Sequence, residues 1–308
     1  MAINKDSYFE QAGIDISDSK KSTSEIFKAS GLDWEVEQKN VYYYDNMNTS
    51  YTHKLPNLKA NFRSDNKQFL GIVSDKTYKV VQNIEAFNFI DSLSNFTYDK
   101  VGSFKEGKKV FVIGKSTEQI EITKDDFVNF YLTFIHGHDG KTGIKFILSP
   151  IRMSCMNQMN LMLDKASFSY TMTHTGKVKE KITMVHKAIA DSKKYVVALE
   201  DTIQNLINEK VSYPIEQFLN NLITVDDNAS DLVVKRNTEM KEDIIKIYKE
   251  KDDLQNYKGT KFGIISAISD YISHKEPLRM TKDVINNTFI SNIEGNQLLD
   301  SAYLMLAA

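Results

Sequence analysis

The sequence predicts an α+β fold, in which an antiparallel meander of strands and hairpins with one packed helix precedes a helical C-terminal half. Before Pro150, short runs rich in aromatic and β-branched residues alternate with Asn, Asp, Pro and Gly, a pattern typical of strands and turns. Beyond Thr173, apolar residues recur every three or four positions between charged ones, which is typical of amphipathic helices. We therefore expect a loose arm over residues 1–21, a strand-rich core over residues 22–173 and a helical region over residues 174–308 packed on that core.

Four short runs predict the strands of the meander. Each is rich in aromatic or β-branched residues and is bounded by turn-forming residues. A capping box at Ser22–Glu25 predicts a short helix before these strands, and Asn83 predicts the N-cap of the packed helix after them. The four runs are WEVEQKNVYYY, LKANFRS, QFLGIVS and YKVVQ.

Two hairpins follow the meander. The first, YDKVGSFKEGKKVFVIGK, turns at Glu106-Gly107, and the second pairs FVNFYLTFIHGH with GIKFILS through the turn DGKTG. We expect Pro150 to end the last strand and Met153 to Leu163 to form a buried helix. The segment from His136 to Leu163 is then mainly a scaffold.

The second half predicts several helices that need a partner surface. An apolar stripe runs from Val178 to Ile207, with charged residues between its members. Pro214 is suited to the first turn of the next helix, and Thr224–Asp231 has the composition of an exposed linker. Thr260 predicts the N-cap of a buried helix near the C-terminus.

Composition and motifs exclude several classes of protein. The chain has 39 Lys and Arg against 41 Asp and Glu, so binding to nucleic acid or lipid would have to come from a local patch.

Cys155 is the only cysteine and the chain starts without an apolar signal segment, so we expect a cytoplasmic protein without disulfides. No apolar run approaches the roughly 18 residues that cross a bilayer, so we expect no membrane contact. No phosphate-binding GxxxxGKS/T or GxGxxG motif is present, so nucleotide hydrolysis has no support in the sequence. We expect a protein without enzymatic activity and without a cofactor.

His136, His138 and Asp139 form the one sequence cluster that could hold a metal. In an extended strand the two histidines project from the same face, which is a spacing that metal sites use. Polar residues before an Asp-Gly turn give the same pattern without a metal, and no third ligand follows at fixed spacing. His174 and His186 could join the cluster only through folding. We therefore expect no bound metal.

Cys155 is predicted to be a core residue. It lies in the methionine-rich segment SCMNQMNLM, and free cysteine in such surroundings is usually a small buried side chain. The alternative is a nucleophile whose pKa Arg152 lowers and for which His138 acts as the base.

The basic hairpin around Glu106-Gly107 is the strongest candidate for a functional site. Lysines contact phosphates regardless of sequence, and aromatic rings stack on bases, so this mixture is suited to single-stranded nucleic acid. Lysines that protect the edge of a sheet produce the same pattern, and that interpretation stays open. We expect Arg152, at a strand-to-helix junction, to meet phosphate beside the lysines. The predicted nucleic-acid contacts are Lys100, Phe104, Lys105, Lys108, Lys109, Lys115, Lys141 and Arg152.

Dispersed segments of the chain, in order from Gly31 to the C-terminus, carry a family resemblance. They are GLDWEVE, RSDNKQFLGIVSDKTYKVVQNIEAFNFID, HDGKTGIKFILSPIRMSCMN and GTKFGIISAISDYISH. These segments resemble the blocks of the phage- and plasmid-like family termed domain of unknown function 932. The family's N-terminal Trp-His-Gly stretch is missing here, and His136 stands where another small or polar residue is usual. The family's patterns fall on Arg63–Asp65, Gln82–Phe87, His138–Gly140, Pro150–Asn157 and Gly259–Gly263.

The resemblance implies an origin in mobile elements and a location in the host cytoplasm, and it implies no settled activity. The order of elements is also similar to that of phage single-strand annealing proteins, which bind single strands without nucleotide hydrolysis and assemble into rings or filaments. We therefore expect a non-enzymatic homo-oligomer that binds single-stranded DNA in phage recombination or replication.

The alternative is a module that binds and inhibits or modulates a host defence complex through the charged helices at Lys177–Asn208 and Asp231–Asp252. A metal-dependent enzyme at His136, His138 and Asp139 is a more distant third alternative.

Overall fold

The α+β class is confirmed, since antiparallel sheets occupy the first half of the chain and helices the second. The structure is a computed structural model that describes residues 6–17, 21–44, 52–92, 96–161, 163, 169–172, 178–275 and 283–307. At residues 52, 89, 92, 172 and 178–192 it describes the backbone alone.

Strands and helices have the following bounds. The strands are β1 (Ile14–Asp15), β2 (Val36–Tyr44), β3 (Thr52–Arg63), β4 (Phe69–Ser74), β5 (Phe96–Phe104), β6 (Lys109–Thr123), β7 (Asp126–Gly137), β8 (Ile144–Arg152), β9 (Asn157–Gln158) and β10 (Ser169–Met172). The helices are α1 (Tyr8–Gln11), α2 (Thr23–Ala29), α3 (Asn83–Phe87), α4 (Val178–Asn208), α5 (Ile215–Leu222), α6 (Asp231–Glu250), α7 (Lys261–His274), α8 (Val284–Ile293) and α9 (Gln297–Ala307), with 3-10 helices at Asn88–Ser92 and Asp252–Tyr257.

The larger sheet is antiparallel and forms the centre of the molecule. Its order is β1-β5-β6-β7-β8-β10, and β9 also pairs with β8. Every residue of β7 except Phe127 is buried, because neighbouring elements such as α3, α4 and α8 contact the strands of this sheet. Val112 lies opposite Phe134, which in turn lies opposite Phe146, so large apolar side chains form a row across the sheet.

The smaller sheet has the order β2-β3-β4 and packs against the turn between β7 and β8. The Asn61 side-chain amide donates to the carbonyl oxygen of His138 over 3.0 Å. A Cβ atom at Gly71 would lie 2.5 Å from the carbonyl oxygen of Asp139, so this close approach requires glycine. The small sheet is therefore held against the large one by direct backbone contact.

Helix α7 is the centre of the helical half. All of its residues are buried except Lys261 and Ile272, which are half-buried, and it contacts α4, α6, α9 and β9. One apolar core runs from Tyr8 to Leu306 through both halves of the described chain. None of the described helices is both long and apolar enough to cross a membrane.

The prediction of a loose arm over residues 1–21 is wrong for the segment from Ser7 to Asp15. Ser7 caps α1, and β1 pairs with β5. Tyr8 and Phe9 are each 2% exposed, and the Tyr8 hydroxyl donates to the carbonyl oxygen of Lys275 over 2.7 Å. Two aromatic rings in a polar segment are enough to fix it to the core.

The predicted buried helix over Met153 to Leu163 does not form. A turn leads instead into β9, which pairs with the end of β8, and the backbone N–H of Met159 donates to the carbonyl oxygen of Pro150. Pro150 lies inside β8 rather than ending it. Beside β8, β10 reaches only Ile144–Ile147 and β9 begins its pairing at Ile151, so Pro150 falls between these two partners.

Local signals in the sequence were mostly correct. The capping box at Ser22 is confirmed, as are the turn at Glu106-Gly107 and the Thr260 cap. The run YKVVQ forms no strand, and Gln82 rather than Asn83 caps α3. The first part of the Val178–Ile207 stripe falls on side chains outside the described ones, whereas its later members Leu199, Ile203 and Leu206 are buried.

Because one core joins both halves, we expect the protein to unfold in a single cooperative transition. Ile265 is fully buried in α7, so Ile265→Ala should lower the free energy of unfolding by about 2–5 kcal/mol. Urea denaturation followed by circular dichroism measures this change. Val197→Ala, at a residue that is 58% exposed, is the control and should stay within about 0.5 kcal/mol of the parent. Two independently stable halves released by proteolysis between Asp164 and Gly176 would contradict a shared core.

Candidate nucleic-acid interface

The turn between β5 and β6 is rigidly placed. Lys105, Glu106 and Gly107 have left-handed φ angles of 53°, 60° and 90°, which lets the chain reverse within a few residues. The backbone N–H of Lys105 donates to the carboxylate of Asp283 over 2.8 Å. A Cβ atom at Gly107 would lie 3.1 Å from the Trp34 ring, so the turn also packs closely on the start of the small sheet.

This turn carries three lysines. Lys105 is exposed, and Lys108 and Lys109 are half-buried. Burial lowers the pKa of Lys109, and the neighbouring charge of Lys105 lowers it further. Asp139 and Glu294 act in the opposite direction, so the positive charge is partly compensated. A bound anion would relieve the remaining repulsion between the lysines.

An aromatic pair from the small sheet lies next to Lys108. Phe69 is 40% exposed, and its ring centroid is 5.6 Å from that of Phe62 in an edge-on arrangement. The Nζ atom of Lys108 lies 5.9 Å from the centroid of the Phe69 ring. We call Lys108, Phe62 and Phe69, together with Lys105 and Lys109 of the same turn, the lysine–phenylalanine face.

Three of the predicted contacts are buried, and two of them, Lys100 and Phe104, lie near the turn but cannot meet a ligand as expected. Lys100 is 8% exposed, and its Nζ atom donates to the carbonyl oxygen of Glu10 beneath α1. Phe104 is 2% exposed and packs against Phe111, so its ring is a core ring. Sequence reasoning missed Phe69, which supplies the exposed ring that we had assigned to Phe104.

The remaining predicted lysines differ in their distance from the face. Lys141 is exposed in the turn between β7 and β8, and this turn adjoins the lysine turn because the His138 N–H donates to the Lys108 carbonyl oxygen over 2.8 Å. Lys115 is half-buried on β6, six residues beyond Lys109, which corresponds to roughly 20 Å along the strand. Lys115 is therefore remote from the face.

The prediction that Arg152 meets phosphate is wrong, because its side chain is only 1% exposed. Its Nη2 atom lies 2.7 Å from Asp126 Oδ2, and its Nη1 atom lies 2.9 Å from Asp253 Oδ2. The rings of Tyr257 and Phe262 lie 5.1 and 5.5 Å from the guanidinium carbon. Two carboxylates within the protein occupy the position that a phosphate would need.

His136 and His138 are both fully buried, with ring centroids 4.4 Å apart. The Nε2 atom of His136 donates to the Val81 carbonyl oxygen over 2.8 Å. The Nε2 atom of His138 lies 2.7 Å from Oδ1 of Asn83, whose amide nitrogen donates to the Leu32 carbonyl oxygen. Because the amide nitrogen of Asn83 donates to Leu32, its oxygen Oδ1 faces His138 and accepts a hydrogen bond from Nε2. These two nitrogens thus join the large sheet to the start of α3.

Asp139 serves the turn rather than the histidines. Burial would raise the pKa of Asp139, but the backbone N–H groups of Thr142 and Lys141, which donate to Oδ1, hold it below the ordinary value. Within the described part of the chain, no three His, Cys, Asp or Glu side chains are grouped to hold a metal ion. His174 and the side chain of His186 lie outside the described residues.

A family model described as a domain of unknown function, DUF932, matches residues 69–290. The chain belongs to this family. The match includes four of the five patterns identified in the sequence, and Arg63–Asp65 precedes it. Neither a curated protein nor a solved structure matches the chain.

Residues of the DUF932 patterns lie mainly in the interior, where two secondary-structure elements meet. Asn83 and His138 form the hydrogen bond between α3 and β7. Arg152 pairs with Asp126 and Asp253, and the amide nitrogen of Asn157 donates to the buried carboxylate of Asp270 in α7 over 3.1 Å. These residues have structural roles that account for their chemistry without a ligand.

Cys155 is buried, as predicted from its surroundings, at 9% exposure. Burial raises the pKa of its thiol to about 12, although the charge of Arg152, 3.8 Å away at Nη1, acts in the opposite direction. The group is therefore a neutral thiol at physiological pH, which is the wrong state for a nucleophile.

Removal of Arg152 should destabilise the DUF932 protein severely. Arg152→Ala leaves two carboxylates without their buried partner, so we expect a loss of about 3–5 kcal/mol in the free energy of unfolding. Urea denaturation gives the value. The matched control is Arg236→Ala on the exposed face of α6, which should change stability by less than about 0.5 kcal/mol. An Arg152→Ala variant as stable as the parent would show that the ion pairs contribute nothing.

Cys155→Ser should cost about 1–3 kcal/mol at neutral pH, because a hydroxyl is buried without a dependable partner. The raised pKa means that the unfolded thiol ionises near pH 9.0 while the folded thiol keeps its proton, so the stabilisation by Cys155 decreases as the pH rises above 9.0. The stability difference between parent and variant, measured in urea at several pH values, should shrink above that pH. Rapid reaction of the native thiol with a disulfide reagent at neutral pH would contradict its burial.

Proposed function

We propose that this DUF932 member is a non-enzymatic protein of phage or plasmid origin that binds single-stranded nucleic acid in the host cytoplasm, in recombination or replication. The observation that carries the proposal is the lysine–phenylalanine face, in which Lys108 lies 5.9 Å above the exposed ring of Phe69. Lysines can contact phosphates while a neighbouring ring stacks on a base, and both contacts are independent of sequence.

The charge around the face supports modest, salt-sensitive binding. Asp139 and Glu294 act on Lys109 against the lysines, and Glu106 accepts a hydrogen bond from Gln68. The chain as a whole has a formal net charge of −2, so attraction to a polyanion has to come from local patches such as this one. Lysines that protect the turn from other sheets remain the competing explanation for the same residues.

The alternative function is binding to a host protein, and one surface favours it. The first turn of α6 exposes Leu232, Val233 and Val234 at 55%, 42% and 43%. Consecutive exposed apolar residues on a charged helix are typical of contact surfaces between proteins.

The test is the salt dependence of oligonucleotide binding by the variant in which Lys105, Lys108 and Lys109 are all replaced by Ala. We expect weaker binding and a log–log salt slope that flattens by roughly 0.7 for each phosphate contact removed. Fluorescence anisotropy of a labelled single strand at several salt concentrations measures both. The matched control replaces Lys210, Lys235 and Lys246, three exposed lysines of the helical half, and should behave as the parent.

Two further measurements separate the functions. Light scattering on the same samples gives the oligomeric state, and urea denaturation tests whether both triple variants are folded, because Lys108 and Lys109 are half-buried. If the parent binds no oligonucleotide at low salt, or the triple variant keeps its affinity and slope, the protein-binding function replaces the one proposed here.

A further inference from the structure

The paired ends of β2 and β3 extend beyond the small sheet as a two-stranded ribbon. Strand β4 pairs only with Leu58–Phe62 of β3. Farther along, β2 and β3 pair only with each other, with Tyr42 opposite Lys54 and Tyr43 opposite His53. Among the described strands, no third strand pairs with this ribbon.

Three consecutive tyrosines on the ribbon are exposed to solvent. Tyr42 and Tyr43 are each 50% exposed and Tyr44 is 70% exposed. The Tyr43 ring stacks on the ring of His53, with centroids 5.2 Å apart and an angle of 24° between the planes. None of these rings belongs to the apolar core, so folding does not explain their presence.

The charges on the ribbon favour an anionic partner. Lys54 and His53 are exposed on β3, and Lys59 lies farther along the same strand. The acidic residue of β2 is Glu37, which already pairs with Lys39 over 3.4 Å and with Lys67 over 3.0 Å. Interfaces between proteins are enriched in tyrosine too, but they are depleted in lysine, so tyrosine and lysine together indicate nucleic acid.

We propose that Tyr42, Tyr43, Tyr44, His53 and Lys54, the tyrosine ribbon, form a second base-stacking site for the same single strand; this inference rests on the function proposed above. Tyr42, Tyr44 and Lys54 lie on one face of the ribbon and Tyr43 and His53 lie on the other, so bases can stack on either face. Glu37 of β2 lies opposite Phe62 of the lysine–phenylalanine face, and Tyr44 lies seven residues farther along β2. Seven residues of strand correspond to roughly 23 Å. A short oligonucleotide therefore occupies one surface, whereas a longer one reaches both.

The experiment compares oligothymidylates of about 5 and about 20 nucleotides, which bracket common binding-site sizes. The test variant is Tyr43→Ala with Tyr44→Ala, and the matched control is Tyr43→Phe with Tyr44→Phe, which keeps both rings and removes only the hydroxyls. We expect the alanine pair to lose at least about tenfold in affinity for the long strand and little for the short one. The phenylalanine pair should bind both strands as the parent does.

The outcomes distinguish this inference from the proposed function. If the alanine pair binds the long strand as tightly as the parent while the lysine triple variant binds it weakly, the ribbon inference fails and the proposed function stands. If the alanine pair changes the molar mass in light scattering but not the affinity, the ribbon is a contact between copies of the chain and the inference is overturned. Loss of affinity in the phenylalanine pair as well would show hydroxyl recognition rather than stacking, and would also overturn it.

Discussion

The guanidinium of Arg152 joins the two halves of the molecule, because it pairs with Asp126 on β7 and with Asp253 in the 3-10 helix after α6. A buried cation is costly unless carboxylates replace the water that it loses. The large sheet and the 3-10 helix are therefore favoured only in the arrangement that brings Asp126 and Asp253 to the guanidinium. Tyr257 adds a hydrogen bond to Asp126 over 2.9 Å. Helix α7 then packs beside this ion pair, with Asp270 accepting from Asn157 of β9. The position of the helical half therefore depends on a network that starts from one side chain.

A second buried contact sets the position of the candidate interface. His138 bonds to Asn83 through its ring, and its backbone carbonyl accepts from Asn61 of the small sheet. Its backbone N–H donates to Lys108 in the lysine turn. One residue thus fixes α3, the small sheet and the lysine turn relative to each other. The distance between Lys108 and the Phe69 ring is a consequence of this arrangement, since Lys108 lies in a turn of the large sheet and Phe69 lies in the small sheet.

The sequence predicted those features that depend on neighbouring residues. The capping box at Ser22 and the turn at Glu106-Gly107 need only a few adjacent side chains, and both were correct. Exposure of Lys100 and Arg152 was wrongly predicted, because the residues that cover them lie far away in the chain. Arg152 and Asp253 are 101 positions apart in the chain. Periodicity and local composition contain no information about such pairs.

The exposed aromatic rings could not have been separated from core rings by sequence either. Phe104 and Phe69 both lie in alternating strand patterns, and only the layer on each side of the strand decides that Phe104 is buried and Phe69 is not. In contrast, the run YYY in β2 indicates from the sequence alone that at least one of its rings is exposed. Three consecutive tyrosines cannot all face one side of a strand, so at least one had to point away from any single covering layer.

Under the function proposed above, the two candidate surfaces share a chemistry that would favour one form of nucleic acid over another. Double-stranded DNA carries its bases stacked inside, so a ring such as Phe69 or Tyr44 finds no free base face to cover. Single strands expose those faces, and each stacked base contributes roughly 1–3 kcal/mol. The carboxylates of Asp139 and Glu294 near Lys109 add a further bias, because they oppose the dense phosphate charge of a duplex more strongly than that of one strand. A surface with few lysines, nearby carboxylates and exposed rings is therefore matched to a polymer whose bases contribute more to binding than its charge.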